Sequence, residues 1–162
     1  MKTNKRRSQN QEKSVAKNFN AKTVVASGSK WFAKADVRND KFLIECKTTG
    51  LNFYSLKATV WEKIEEEATR DHMRIPLMVI DLEDKDRVVV FNPDDFRKII
   101  PHHHIAVSYQ ECKSCRISVE FLENWSDCYV WGRIFQICGK KKNVLCYTRI
   151  KDFEDYFKEE LS

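Results

Sequence analysis

Glycine and proline are scarce in this chain, four and three in 162 residues, which excludes a collagen-like or low-complexity design. Long apolar runs are missing as well, so no segment has the length and hydropathy of a bilayer-spanning helix. The basic, polar stretch from Met1 to Lys17 is followed by no apolar segment, so it cannot serve as a secretory signal peptide, and the expected location is the cytoplasm. Without such a signal, the six cysteines read as reduced thiols, or at most as part of a metal site. Acid is nearly absent from the first 34 residues: Glu12 stands alone among Lys2, Lys5, Arg6, Arg7, Lys13, Lys17, Lys22, Lys30 and Lys34. A phosphate backbone would favour that segment, although a solvated tail explains Met1 to Asn10 equally well. The net charge of +5 says less than this distribution, because acids are abundant further along.

What is present, 42% apolar and 33% charged residues, describes one α/β or α+β domain with room for a C-terminal elaboration. Residues 1–10 lack apolar positions and are expected to form a flexible basic tail, followed by a core over 11–100 and an extension over 101–162 packed on it. Val15, Ala16 and Phe19 fall at helical spacing within a helix from Gln11. A short strand, Thr23 to Ala26, runs into the turn Ser27-Gly28-Ser29. Asp36-Val37 and Phe42 to Lys47 read as a hairpin joined by Arg38 to Lys41. Ser55 is a plausible N-cap for a helix to about Asp71, with Leu56, Val60, Ile64 and Ala68 on one stripe. Leu77 to Ile80 is a continuous apolar run of the kind found in a buried central strand, and Arg87 to Phe91 returns as another. Asn92 caps a short helix from Pro93 to Ile99. Beyond it, Ile105 to Tyr109, Arg116 to Phe121, Tyr129 to Ile137 and Val144 to Thr148 read as strands. A closing helix carries Phe153, Tyr156, Phe157 and Leu161 on one stripe.

One constellation carries chemistry. Side chains alternate along a strand, so Glu45 and Lys47 share a face and Cys46 takes the other. Such a pair on its own makes a surface ion pair worth little. Asp36 on the neighbouring strand adds a second carboxylate, and two carboxylates suit a hard divalent cation. A lysine beside that cation can orient or deprotonate an attacking water and offset charge developing on a phosphate. Asp40 competes with Asp36 for this role, but Val37 favours a strand at Asp36 while Asp40 has the character of a turn.

The order Gly28-Ser29, Asp36, then Ile44-Glu45-Cys46-Lys47-Thr48-Thr49 and a long helix resembles the core of the PD-(D/E)XK nucleases, with Ala35 where the named motif has proline. Within that superfamily it is most similar to archaeal-type and phage-encoded Holliday junction resolvases, over roughly residues 11–91. The resemblance implies a restriction-endonuclease-like α/β core with a mixed central sheet flanked by helices, here with a β-rich C-terminal extension ending in a helix. It implies a Mg²⁺- or Mn²⁺-dependent endodeoxyribonuclease acting on branched DNA as a homodimer, in the host cell if phage-encoded. Catalysis would fall to Asp36, Glu45, Lys47, Glu12 and Ser29, and the metal site to Asp36, Glu45, Cys46 and Glu12. DNA contacts would come from Lys5, Arg6, Arg7, Lys13, Ser29, Lys30, Ser55 and Lys57. Each supporting residue has a plainer reading: Glu12 as a solvated helix acid, Ser29 as a turn former, Ser55 as a simple cap. The same chemistry also fits a restriction-like or repair nuclease, and a degenerate nuclease fold would fit a DNA-binding protein without catalysis.

Cys112-x₂-Cys115 has the spacing of one zinc knuckle, but no second knuckle follows, so small thiols are the better reading. His102-His103-His104 reads as an exposed loop after Pro101, with a DNA contact as the alternative. Trp31, Phe32, Phe53 and Tyr54 flank the motif and are expected to pack in the core, with stacking on an unpaired base as the other use.

Overall fold

A computed structural model describes residues 4–24, 35–83, 86–96, 113–123 and 132–156. In chain order these form α1 (Asn4–Asn18), β1 (Lys22–Thr23), β2 (Val37–Arg38), β3 (Phe42–Thr49), β4 (Phe53–Lys57), α2 (Ala58–Arg70), β5 (Ile75–Leu82) and β6 (Asp86–Phe91). A 3-10 turn (Pro93–Phe96), β7 (Ser114–Ser118), α3 (Glu120–Glu123), β8 (Arg133–Cys138), β9 (Lys142–Arg149) and α4 (Ile150–Tyr156) follow. Ser29, Lys30, Trp31, Phe32, the strand expected over Ile105 to Tyr109, the His triplet, Cys112, Phe157 and Leu161 lie outside the described residues.

The apolar run of β5 sits at the middle of a seven-stranded sheet ordered β1-β2-β3-β5-β6-β9-β8. Leu77, Met78, Val79 and Ile80 are all fully buried, because both faces of this strand are covered. Among the described residues only β3 and β5 run parallel, and the crossover between them carries β4 and α2; the other ladders are antiparallel. The fold is therefore the expected one, a mixed central sheet flanked by helices. β8 and β9 join that sheet through the β6–β9 ladder, so the C-terminal strands complete it.

Two cores fill the two faces. On one, Leu43, Met78, Ile80, Val88, Val90 and Tyr147 pack with Trp61, Ile64 and Ala68 of α2. On the other, Phe42, Ile44, Cys46, Leu77, Val79 and Val89 pack with Val15, Ala16 and Phe19 of α1 and Phe153 of α4. Phe19, Phe42, Phe91, Phe96 and Phe153 interlock there with ring centroids 5.3–6.3 Å apart, mostly edge to face.

Three boundaries depart from expectation. α1 begins at Asn4 instead of Gln11, since a helix anchored by its buried stripe extends cheaply into residues that need no burial. Ser55 caps no helix; it lies in β4 opposite Arg116 of β7. α2 opens at Ala58, whose N–H donates to the Lys113 carbonyl at 2.9 Å, while Lys57 at the N-cap position makes no side-chain cap. Arg116 to Phe121 does not continue as one strand, because β7 ends at Ser118 and α3 follows.

The end of α2 is clamped to the β2–β3 hairpin. Asp71 pairs with Arg74 at 2.5 Å and with Arg38 at 3.2 Å, and Arg74 Nε donates to the Asn39 carbonyl. Between them His72 and Met73 adopt φ of 61° and 59°, a left-handed conformation costly for side chains with a Cβ. Met73 is 76% exposed and makes little use of its side chain. Met73→Gly is therefore expected to raise stability by about 0.5–1 kcal/mol, read as a rise of roughly 1–4 °C in the thermal midpoint. A lower midpoint would show that the turn is not strained.

Candidate active site

β2 contributes only two residues to its ladder with β3, pairing Val37 with Ile44 and Arg38 with Leu43. One step further the register sets Asp36 opposite Glu45. β3 runs on to Thr49, so its second half lacks a β2 partner on that edge. The Asp36 side chain takes the place of the missing strand: its Oδ2 accepts the Cys46 N–H at 2.8 Å. A residue's N–H and C=O project to the same strand edge, so the Cys46 carbonyl lies on the edge that Asp36 occupies.

Glu45 and Lys47 project together from β3, and Lys47 Nζ donates to Glu45 Oε1 at 2.5 Å. The pair is partly shielded, with 35% of the Lys47 side chain and 18% of the Glu45 side chain exposed. Burial pushes the Asp36 carboxyl up to about 6, with the Glu45 charge adding to the rise and the Cys46 hydrogen bond opposing it. Burial alone would lower the Lys47 pKa, but its hydrogen bond to Glu45 and the charges of Glu45 and Asp36 outweigh this and raise it. The lysine is thus held as an ammonium beside two carboxyl groups.

α1 meets the site from the other face of the sheet. Gln11, 2% exposed, donates through Nε2 to the carbonyls of Lys47 at 2.8 Å and Val79 at 3.2 Å. Glu12, the next residue, accepts a hydrogen bond from Ser8 Oγ at 3.0 Å, and its charge contributes to the raised pKa of Asp36. Asp40 lies exposed in the hairpin turn, away from this group.

The structure brings Asp36, Glu45 and Lys47 together and sets Glu12 nearby. It does not assemble a four-ligand set: among the described residues, no three His, Cys, Asp or Glu side chains are arranged to hold a metal ion. Cys46 can contribute to such a site only through its main chain. Its thiol is buried in the apolar core under α1, and burial followed by the surrounding acids pushes its pKa up, so only its main chain faces the site. Two carboxylates and a carbonyl form an all-oxygen donor set of the kind that suits Mg²⁺ or Mn²⁺. The Cys115 thiol donates to the Arg116 carbonyl at 3.7 Å.

Of the basic residues, Lys5, Arg6 and Lys13 are exposed on α1 and Arg7 is half-buried. Ser55 and Lys57 are exposed on β4. One neighbour of the site, Gln11, escapes the sequence reading. Gln11 continues the Val15 and Phe19 stripe by one turn, a signal that was legible. Tyr54, which flanks the motif in the sequence, is delivered by β4; burial raises its pKa, the Lys47 charge opposes the rise and the Glu45 charge adds to it.

No protein-family profile and no curated protein matches the sequence. Among solved structures the chain is similar to that of Hjc from Archaeoglobus fulgidus, a Holliday junction resolvase from an archaeal hyperthermophile. The two share 18% identity and a TM-score of 0.43, over 67% of this chain and 85% of that one. Among the described residues, no helix is long and apolar enough to cross a membrane.

The Asp36 shift makes stability depend on pH. The folded state holds this proton up to about pH 6, the unfolded chain only to about 3.8. Between those values the folded state binds more protons, so stability falls as pH rises through the window. Asp36→Asn keeps an acceptor for the Cys46 N–H and removes the charge. It is expected to be near neutral at pH 4 and stabilising by about 1–2 kcal/mol at pH 7, after discounting for solvent screening. Denaturant melts at the two pH values test this; equal effects at both would mean that Asp36 is not strained by its charge.

Proposed function

We propose that this chain is a metal-dependent endodeoxyribonuclease. The observation that carries the reading is the convergence of Asp36, Glu45 and Lys47 where β3 runs past its ladder with β2, with Asp36 pushed up to about 6 by burial and by its neighbour's charge. Like charges gathered at a structural cost are the mark of a site that expects a cation. Asp36, Glu45 and the Cys46 carbonyl would hold Mg²⁺ or Mn²⁺. When bound, that ion supplies activation of a water and polarisation of the phosphodiester.

This chain's own residues divide the remaining work. Asp36 would have to be deprotonated to hold the cation, so occupancy would weaken as the pH falls. Glu45 orients Lys47 through their hydrogen bond. Lys47, held as an ammonium, donates to the attacking water or to a phosphate oxygen and offsets charge that grows in the transition state. Deprotonation of that water by Lys47 fits poorly with its raised pKa. Glu12, beyond the carboxylate pair, adds negative charge that favours cation binding. Branched DNA as substrate, and a homodimer acting on two strands, complete the proposal on the strength of the sequence resemblance.

The test uses labelled four-way junction and linear duplex, with Mg²⁺ or EDTA. Cleavage is expected only with the cation, and Asp36→Asn or Glu45→Gln is expected to abolish it. Lys47→Ala should bind DNA within a few-fold of wild type yet cut at least about a hundredfold more slowly. Lys47→Arg keeps the charge in a different shape and should recover part of that loss. Cutting in EDTA, or full activity in Lys47→Ala, overturns the assignment.

A further inference from the structure

The β4–β7 ribbon stands apart from the seven-stranded sheet. Its inner face is apolar: Leu56 and Ile117 are fully buried, and Tyr54 and Cys115 pack against the same core. Alternation sends Phe53, Ser55 and Lys57 of β4, with Ser114 and Arg116 of β7, to the outer face. Ser55, Lys57, Ser114 and Arg116 are exposed, as is Lys113 just before β7.

Three features give this face a polarity. Neither strand contains an acid. Lys57, Lys113 and Arg116 supply three cations, and Glu120 beyond the end of β7 accepts a hydrogen bond from Asn52 at 3.2 Å. The Arg116 guanidinium lies 4.1 Å from the centre of the Phe53 ring, so one long, flexible cation is held in place on an exposed surface. A stacked guanidinium keeps its N–H edges free for a planar or tetrahedral oxyanion. The ribbon also begins at the candidate site, since Tyr54 on its inner side shares the surroundings of Lys47 and Glu45.

We propose that the outer face of the β4–β7 ribbon holds the DNA backbone flanking the scissile phosphate, with Arg116 as its anchor and Lys57 and Lys113 beside it. The identity of the polymer rests on the nuclease reading; the polarity of the face does not. Phosphates are the occupant that its charge complements, and the two serine hydroxyls add donors for their oxygens. Phe53 acts as a positioning residue, through Arg116.

The experiment is equilibrium binding in EDTA of labelled four-way junction and linear duplex, across a salt series, so that no cleavage intervenes. The triple variant Lys57→Ala, Lys113→Ala, Arg116→Ala is expected to bind at least about tenfold more weakly, with a log–log salt slope shallower by about 0.9 for each phosphate no longer neutralised. Arg116→Gln alone, a milder change, should reduce the slope by about 0.9. Phe53→Leu removes no charge; it should leave the slope unchanged while weakening binding by about twofold to fivefold. Wild-type affinity and slope in the triple variant and in Arg116→Gln, with unchanged circular dichroism, overturn the proposal. If wild type cleaves DNA and those variants bind normally, the ribbon assignment alone falls. If wild type neither binds nor cleaves either DNA, the nuclease reading falls with it, and the face is left to an acidic partner of another kind.

Discussion

A single hydrogen bond organises the candidate site: the Asp36 carboxylate accepts the Cys46 N–H on a strand edge that β2 is too short to cover. An open edge deep in a sheet leaves main-chain groups without partners, and a side chain that substitutes for the absent strand satisfies one of them. The same bond holds Asp36 beside Glu45, where burial and then the Glu45 charge raise its pKa. Structure and chemistry are coupled here, because the group that finishes the sheet is also the group that would hold a cation.

The site is held from several directions. Gln11 reaches from α1 to the Lys47 and Val79 carbonyls, tying the helix to the two parallel strands. The phenylalanine cluster beneath α1 fixes that helix against β3 and β6. On the far side, Asp71 and Arg74 lock the end of α2 to the β2–β3 turn, so the hairpin that carries Asp36 is braced at its base. Arg87 pairs in a two-pronged contact with Asp81 and donates to Ser14 at 2.9 Å, a further link between α1 and the central strands. Rigid support of this kind is what an electrostatic site needs, since misplaced charges lose their effect steeply with distance.

Much of this was legible in the sequence where one periodicity decides the outcome. Period-two alternation put Glu45 and Lys47 on one face and Cys46 on the other. The uninterrupted Leu77 to Ile80 run marked the central strand, and helical spacing marked Val15, Phe19, Ile64 and Ala68 as buried. Val37 marked the short strand β2, which begins one residue after Asp36 and includes Arg38, and Asp40 lies exposed in the turn.

Tertiary structure alone decided the rest. Ser55 has the local character of a helix cap, yet its backbone joins a ladder with Arg116, far along the chain, and that pairing removes it from the helix. Tyr54 reaches the site, and Phe53 reaches Arg116, only because that ladder forms. β8 and β9 complete the sheet through β6, a neighbour that no local pattern names. The raised pKa of Asp36 depends on how much water the assembled sheet excludes and on which charges it gathers, and neither quantity belongs to the residue itself. Alternation and spacing belong to one element, so a sequence carries them whole; strand partners, desolvation and field arise between elements, and only the packed chain supplies them.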